Sequence, residues 1–99
     1  MKVRITARAR SHVRGRREWW VQHRPAAVAL FDEEFEQALH LVAEMPMAGT
    51  PWPTARNAKL RRVLMPRTHS HVYFCLDETA AVIVVLAVWG AARGRAPKL

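Results

Sequence analysis

From Ala80 to Ala92 the sequence runs for thirteen residues without a charge or a hydroxyl. A helix that crosses a bilayer needs about 20 apolar residues, so this run is too short for one and reads as a buried strand. As a strand it places Val82, Val84, Leu86 and Val88 on one face and Ala81, Ile83, Val85 and Ala87 on the other. Both faces are apolar, whereas a sheet with one wet face would alternate apolar and polar residues. The strand is therefore expected to be central in its sheet. Its second face is expected to be covered by the C-terminal tail or by another protein.

The rest of the chain must supply what packs on that strand. Ninety-nine residues fill one domain, 1–99, and no internal repeat is present. Val3 and Ile5 alternate with charged or polar neighbours across Lys2–Thr6, which predicts a short strand. A helix is expected from Ala9 to His23, with Ala9, Val13 and Trp20 inward and Gly15 as its weak point. Pro25 suits the first turn of a second helix, where its missing N–H is not needed. In that helix Val28, Phe31, Phe35, Ala38, Val42 and Met45 recur every three or four residues, so one stripe faces the core and the acids face elsewhere.

Pro46, Gly49, Pro51 and Pro53 end the helix and predict irregular chain up to Asn57. Strands are expected near Lys59–Met65, His69–Leu76 and Ala81–Val88, the last two joined by a turn at Asp77-Glu78-Thr79. On the middle one, Val72, Phe74 and Leu76 should meet the helices, with His69, His71, Tyr73 and Cys75 opposite. The expected class is α+β: a short N-terminal strand, a two-helix hairpin, then a three-stranded antiparallel meander packed on the helices.

Charge is segregated along the chain. Residues 1–24 carry eight bases and Glu18, residues 25–55 carry five acids and no Lys or Arg, and residues 56–99 carry eight bases and two acids. The net charge of +8 favours an acidic partner, whether nucleic acid or an acidic protein segment. Arg predominates over Lys, and its planar fork suits carboxylate or phosphate. The charged N-terminus lacks the apolar centre of a secretion signal, and Cys75 is the only cysteine. A cytoplasmic protein without a membrane segment is expected.

Several short segments, in order, resemble the ParE/RelE toxin superfamily. Glu18-Trp19-Trp20 precedes Pro25-Ala26-Ala27 and Phe31, and Pro46-Met47-Ala48-Gly49-Thr50-Pro51 is similar to the family's Pro-x-x-Gly-x-Pro exit from the second helix. Leu60-Arg61, Val72-Tyr73-Phe74 and Val85-Leu86-Ala87-Val88-Trp89, followed by Arg93, fall where ParE-like chains carry a Leu-Arg pair, a tyrosine-bearing strand and a last strand followed by arginine. The resemblance covers nearly the whole chain. It implies the toxin of a type II toxin–antitoxin pair, in a hetero-oligomer with a cognate antitoxin whose acidic or amphipathic segment neutralises it.

Two activities follow from the resemblance. ParE-like members inhibit DNA gyrase by binding, and this is the preferred reading. RelE-like members cut messenger RNA on the ribosome, which would draw on Lys59, Arg61, Arg67, His69, His71, Tyr73 and Arg93 for charge, proton transfer or stacking. The tail after Arg93 lacks the Tyr or His that several nuclease members place there, and Trp89 stands where many ParE-like chains have His. Arg10, Arg14, Arg17, Trp20, Arg61, Tyr73, Trp89 and Arg93 are the candidate partner-binding residues.

Simpler roles compete for the same side chains. Arg61 and Arg93 equally suit structural pairing with Glu36, Glu44 or backbone carbonyls. His69 and His71 share a strand face, but Cys75 lies about 13 Å beyond His71 along a strand, so no metal site and no cofactor is expected. A basic DNA-binding module and an inactive toxin remain as further alternatives.

Overall fold

In the computed structural model, residues 1–92 and 94–99 are described, and they begin with strand β1 (Lys2–Ile5) and helix α1 (Ala7–His23). The Thr6 hydroxyl accepts a hydrogen bond from the Ala9 N–H at 3.1 Å. This cap satisfies one of the unpaired donors of the first turn, so α1 starts earlier than the apolar pattern suggested. Gly15 lies inside α1 without breaking it. The Arg24 N–H closes on the Trp20 carbonyl at 2.8 Å, and a 3-10 turn, Pro25–Ala27, leads into α2 (Val28–Glu44). Among the described residues no helix is long and apolar enough to cross a membrane.

The second half of the chain forms β2 (Thr50–Pro51), β3 (Arg61–Met65), β4 (Ser70–Asp77) and β5 (Val82–Gly90). They join β1 in one sheet of order β1-β5-β4-β3-β2. The α+β class and the antiparallel meander of β3, β4 and β5 are as expected, and β5 lies between two neighbours. The sheet itself is mixed. β1 runs parallel to β5, with Val3 opposite Ile83 and Ile5 opposite Val85, because the intervening helices let the chain return in the same direction. β2 pairs with β3 in the loop expected to be irregular, and Pro51 is tolerated there because β2 is an edge. Gly49 enters that pairing at φ +74°, a conformation that favours glycine.

Beyond Ile5, among the described residues, no strand pairs with the outer edge of β5, and α1 packs against it. The Val88 N–H donates to His12 Nδ1 at 3.2 Å, so a side chain completes the edge that β1 leaves open.

The helix-facing core joins Phe31, Ala38 and Val42 of α2 to Val63, Val72, Phe74, Ile83, Val85 and Val88 of the sheet. Burying each such side chain contributes about 1.5–3 kcal/mol against leaving it in water. The strict alternation expected of β5 fails at Leu86. Tyr73 pairs with Ala87 but Phe74 with Val85, so Leu86 is an extra, bulged residue. Ile83, Val85 and Val88 therefore face the helices, while Leu86, Ala87 and Trp89 pack on the second face.

Two residues depart from the expected pattern of α2. Met45 lies past the end of the helix and is 57 % exposed. Glu34, grouped by sequence with outward-facing acids, is 6 % exposed. Its carboxylate accepts from the Arg67 N–H at 2.8 Å, the Thr68 N–H at 2.9 Å and the Thr68 hydroxyl at 2.6 Å. A buried carboxylate is tolerated when its oxygens are met by donors in this way.

Candidate functional site

The second face of the sheet gathers a set of aromatic and cationic groups. Leu60, Tyr73 and Ala87 are buried there, with Trp52, Leu86, Trp89 and Leu99 packed against them. Register decides which side chains meet. Arg62 lies directly opposite Tyr73, and Leu64 opposite His71. The Arg62 guanidinium is 3.6 Å from the Trp52 ring centroid, a close cation–π contact, and its Nη1 donates to the Tyr73 hydroxyl at 3.2 Å. His71 meets the Tyr73 ring edge-on at 6.1 Å between centroids. Partial burial, and then the positive charge of Arg62, push the His71 pKa below its ordinary value of 6.5.

The C-terminal segment crosses this face. Trp89 Nε1 donates to the Arg95 carbonyl at 2.9 Å, Arg8 Nη1 to the Lys98 carbonyl at 2.7 Å, and the Thr54 hydroxyl to Leu99 O at 3.0 Å. A hollow of about 250 Å³ remains between Trp52, Arg62, His71, Tyr73, Trp89 and the tail. The apolar second face of β5 is thus covered by the chain's own tail. Tyr73 is 1 % exposed beneath it.

The residues proposed from sequence for RNA cleavage do not meet at one place. Lys59 is exposed and paired with Glu78 at 3.3 Å. Arg61 points away from Tyr73 and donates to the carbonyls of Met47 at 2.7 Å, Ala48 at 3.1 Å and Gly49 at 3.2 Å, fastening the loop after α2. Arg67 and His69 lie in the turn between β3 and β4, where His69 has φ +54°, and they line a different groove. His69 and His71 therefore do not share a strand face, since β4 begins only at Ser70. Among the described residues the set thus falls into three pairs: Lys59 with Arg61, Arg67 with His69, and His71 with Tyr73. Arg93 lies outside the described residues.

The partner-binding candidates are also spread. Arg10 and Arg14 are exposed on α1 beside Val13 and Phe35. Arg17 grips Asp32 of α2 with its Nε at 3.0 Å and Nη2 at 3.1 Å, and this hydrogen-bonded charge raises its pKa. Trp20 packs against the helix-facing core, whereas Trp19 is 43 % exposed, so the two adjacent indoles divide between core and surface as their helical angle predicts. Trp89 packs edge-on against His12. Sequence reasoning missed Arg62 and Trp52. The available signal was parity, because Arg62 shares a face with Leu60 rather than with Arg61.

Residues 3–94 match the family described as the ParE toxin of type II toxin-antitoxin system, parDE. This chain belongs to the ParE toxin family. No curated protein matches its sequence significantly. Its fold is similar to a chain of the chromosomal ParDE toxin–antitoxin system from P. aeruginosa, with TM-score 0.76 and 14 % identity over 91 % of this chain and 95 % of that one. A chain of the RelBE2 toxin–antitoxin complex from Mycobacterium tuberculosis gives TM-score 0.60 and 20 % identity, covering 90 % of this chain and 95 % of that one. The YoeB/ParE toxin from Agrobacterium tumefaciens gives 0.61 and 14 %, covering 91 % and 98 %. At these identities the likeness is one of fold. The ParE-family frame thus holds together a buried Tyr73, a stacked Arg62 and a tail across the sheet.

Proposed function

We propose that this ParE-family toxin acts by binding DNA gyrase in the cytoplasm, and that a cognate antitoxin neutralises it in a hetero-oligomer. The observation that carries this reading is the separation of the candidate cleavage residues into three places, Lys59 with Arg61, Arg67 with His69, and His71 with Tyr73. Cleavage of RNA needs an acid, a base and a cation around one phosphate. Here Arg61 is engaged by three carbonyls, Lys59 by Glu78, and the Tyr73 hydroxyl by Arg62. Inhibition by binding needs a surface and no such set. The antitoxin follows from the family and from the solved toxin–antitoxin assemblies of similar fold.

A second reading rests on the Arg62–Tyr73–His71 group. A neutral His71 beside a cation suits a general base, and it would make the chain a ribosome-dependent messenger RNA nuclease. Expression of the chain alone in a bacterial host, with plasmid supercoiling and transcript integrity followed in parallel, separates the two. Growth arrest with altered supercoiling and intact transcripts is expected. Codon-phased transcript cuts that vanish in Arg62→Ala and His71→Ala would overturn the gyrase reading.

A further inference from the structure

The last residues of the chain are held across the second face of the sheet by three hydrogen bonds of one kind. Trp89 Nε1 donates to the Arg95 carbonyl, Arg8 Nη1 to the Lys98 carbonyl and the Thr54 hydroxyl to Leu99 O. In each, the donor is a side chain of the folded body and the acceptor is an oxygen of the tail backbone. Among the described residues no backbone-to-backbone hydrogen bond joins 95–99 to the rest of the chain. Pro97 is buried and Leu99 half-buried, while Arg95, Ala96 and Lys98 are exposed. Because β5 ends at Gly90, before this segment begins, the tail can lift without breaking the sheet.

Charge works against closure. Arg62, His71 and Arg95 line the hollow under the tail, and no acidic residue does. Lys98 brings a further cation, and the side chain that holds its carbonyl is Arg8, itself a cation. Closing the tail therefore sets its own bases on a basic surface, and the repulsion weakens as salt screens it. The burial of Pro97 and Leu99 and the three hydrogen bonds offset that cost.

Of the described residues lining the hollow, His71 alone changes charge between pH 5 and pH 8. Facing it are Arg62 of β3, the Tyr73 phenol of its own strand, Arg95 of the tail and, directly opposite on β5, the uncharged Trp89. His12 of α1 also meets Trp89, edge-on at 5.3 Å, and its Nδ1 accepts from the Val88 N–H. Burial first, and Arg62 second, hold the His71 pKa below 6.5. The tail supplies part of that cover. Lifting it lets the pKa return toward 6.5, so a proton binds the open form more tightly than the closed one. Closure is full above pH 6.5 and weakens as pH falls through 6.5 toward the depressed value.

We infer that the C-terminal segment is a pH-sensitive strap, closed over the Trp52–Arg62–Tyr73 surface while His71 is neutral and lifted when His71 takes a proton. The sheet face is then shielded near neutral pH, with Tyr73 1 % exposed, and open to a partner in acid.

The test is NMR of the full-length chain with a neutral gadolinium chelate in solution, which broadens each indole N–H according to its access to solvent. At low salt the broadening at Trp52 and Trp89 should rise about twofold or more between pH 7.5 and pH 5, as protonation shifts the strap toward its open form. Trp20, whose indole N–H is buried by the helix-facing core, should not change. Raising the salt to about 1 M, where the screening length is about 3 Å, should reverse much of the rise. His71→Asn cannot take the proton and should remove the pH response. His12→Asn keeps an oxygen that can accept from the Val88 N–H and should retain it. Circular dichroism at both pH values checks that each variant is folded, and His71→Gln replaces His71→Asn if that variant is not. Equal broadening at the two pH values, a response that survives in His71→Asn, or a rise at Trp20 equal to that at Trp52 and Trp89 overturns the inference. So does a response lost in His12→Asn and kept in His71→Asn. The readout involves no target, so it stands or falls apart from gyrase binding.

Discussion

Glu34 ties α2 to the β3–β4 turn through three donors, two of them backbone N–H groups. Removing the carboxylate strands all three. Glu34→Ala is expected to cost about 3 kcal/mol, at about 1 kcal/mol per orphaned donor, read as a lower urea midpoint with an unchanged slope. A loss under about 0.5 kcal/mol would mean that water enters and replaces the carboxylate. His71 gives a pH-dependent counterpart. Its folded pKa is depressed by burial and Arg62, so between that value and 6.5 the unfolded chain binds more protons than the folded one. Stability is therefore full above pH 6.5 and falls as pH drops through 6.5 toward the depressed value. Denaturation at pH 7.5 and pH 5 should show that His71→Asn flattens this part of the profile, and an unchanged profile would assign it to another group.

At the scale of elements, two glycines illustrate opposite demands. Gly15 stands in the middle of α1 with open space where a Cβ would be. Gly15→Ala should stabilise the protein by about 0.5–1 kcal/mol through helix propensity. Gly49 has φ +74°, and a Cβ there would run into the Arg62 carbonyl oxygen. Gly49→Ala should cost about 2–4 kcal/mol, because backbone strain and the lost β2–β3 pairing act together. Thermal unfolding distinguishes the two by the sign of the shift in Tm. The same loop carries the carbonyls that hold Arg61, so the strain would also loosen that guanidinium.

Across the whole molecule, the tail completes the packing. The sheet has apolar residues on both faces, the helices cover one, and Leu99 helps to cover the other. Leu99→Ala should cost about 1–3 kcal/mol, reduced from a fully buried leucine because the site is only half-buried. Acrylamide quenching of Trp52 and Trp89 should rise in this variant. Quenching that stays the same would show that the tail adds little cover. The segregated charge operates at this scale too, since α1 and the second half are net basic while five of the eight acids lie on α2.

Periodicity along the chain determined which residues point inward over a few turns or a few strand positions. It was enough to read α2 from Phe31 to Val42, the inward face of Val72, Phe74 and Leu76, and the interior position of β5 from its two apolar faces. The C-terminal tail was one of the two covers the sequence allowed for the second face. Local patterns carry no information on register between distant segments. The parallel pairing of β1, the bulge at Leu86, the pairing of Arg62 rather than Arg61 with Tyr73, and the burial of Glu34 against a turn more than thirty residues away were decided only in three dimensions. Each depends on where one segment stops against another. A one-residue shift in a strand reverses every side chain beyond it, so the candidate site, unlike the fold, was legible only in part.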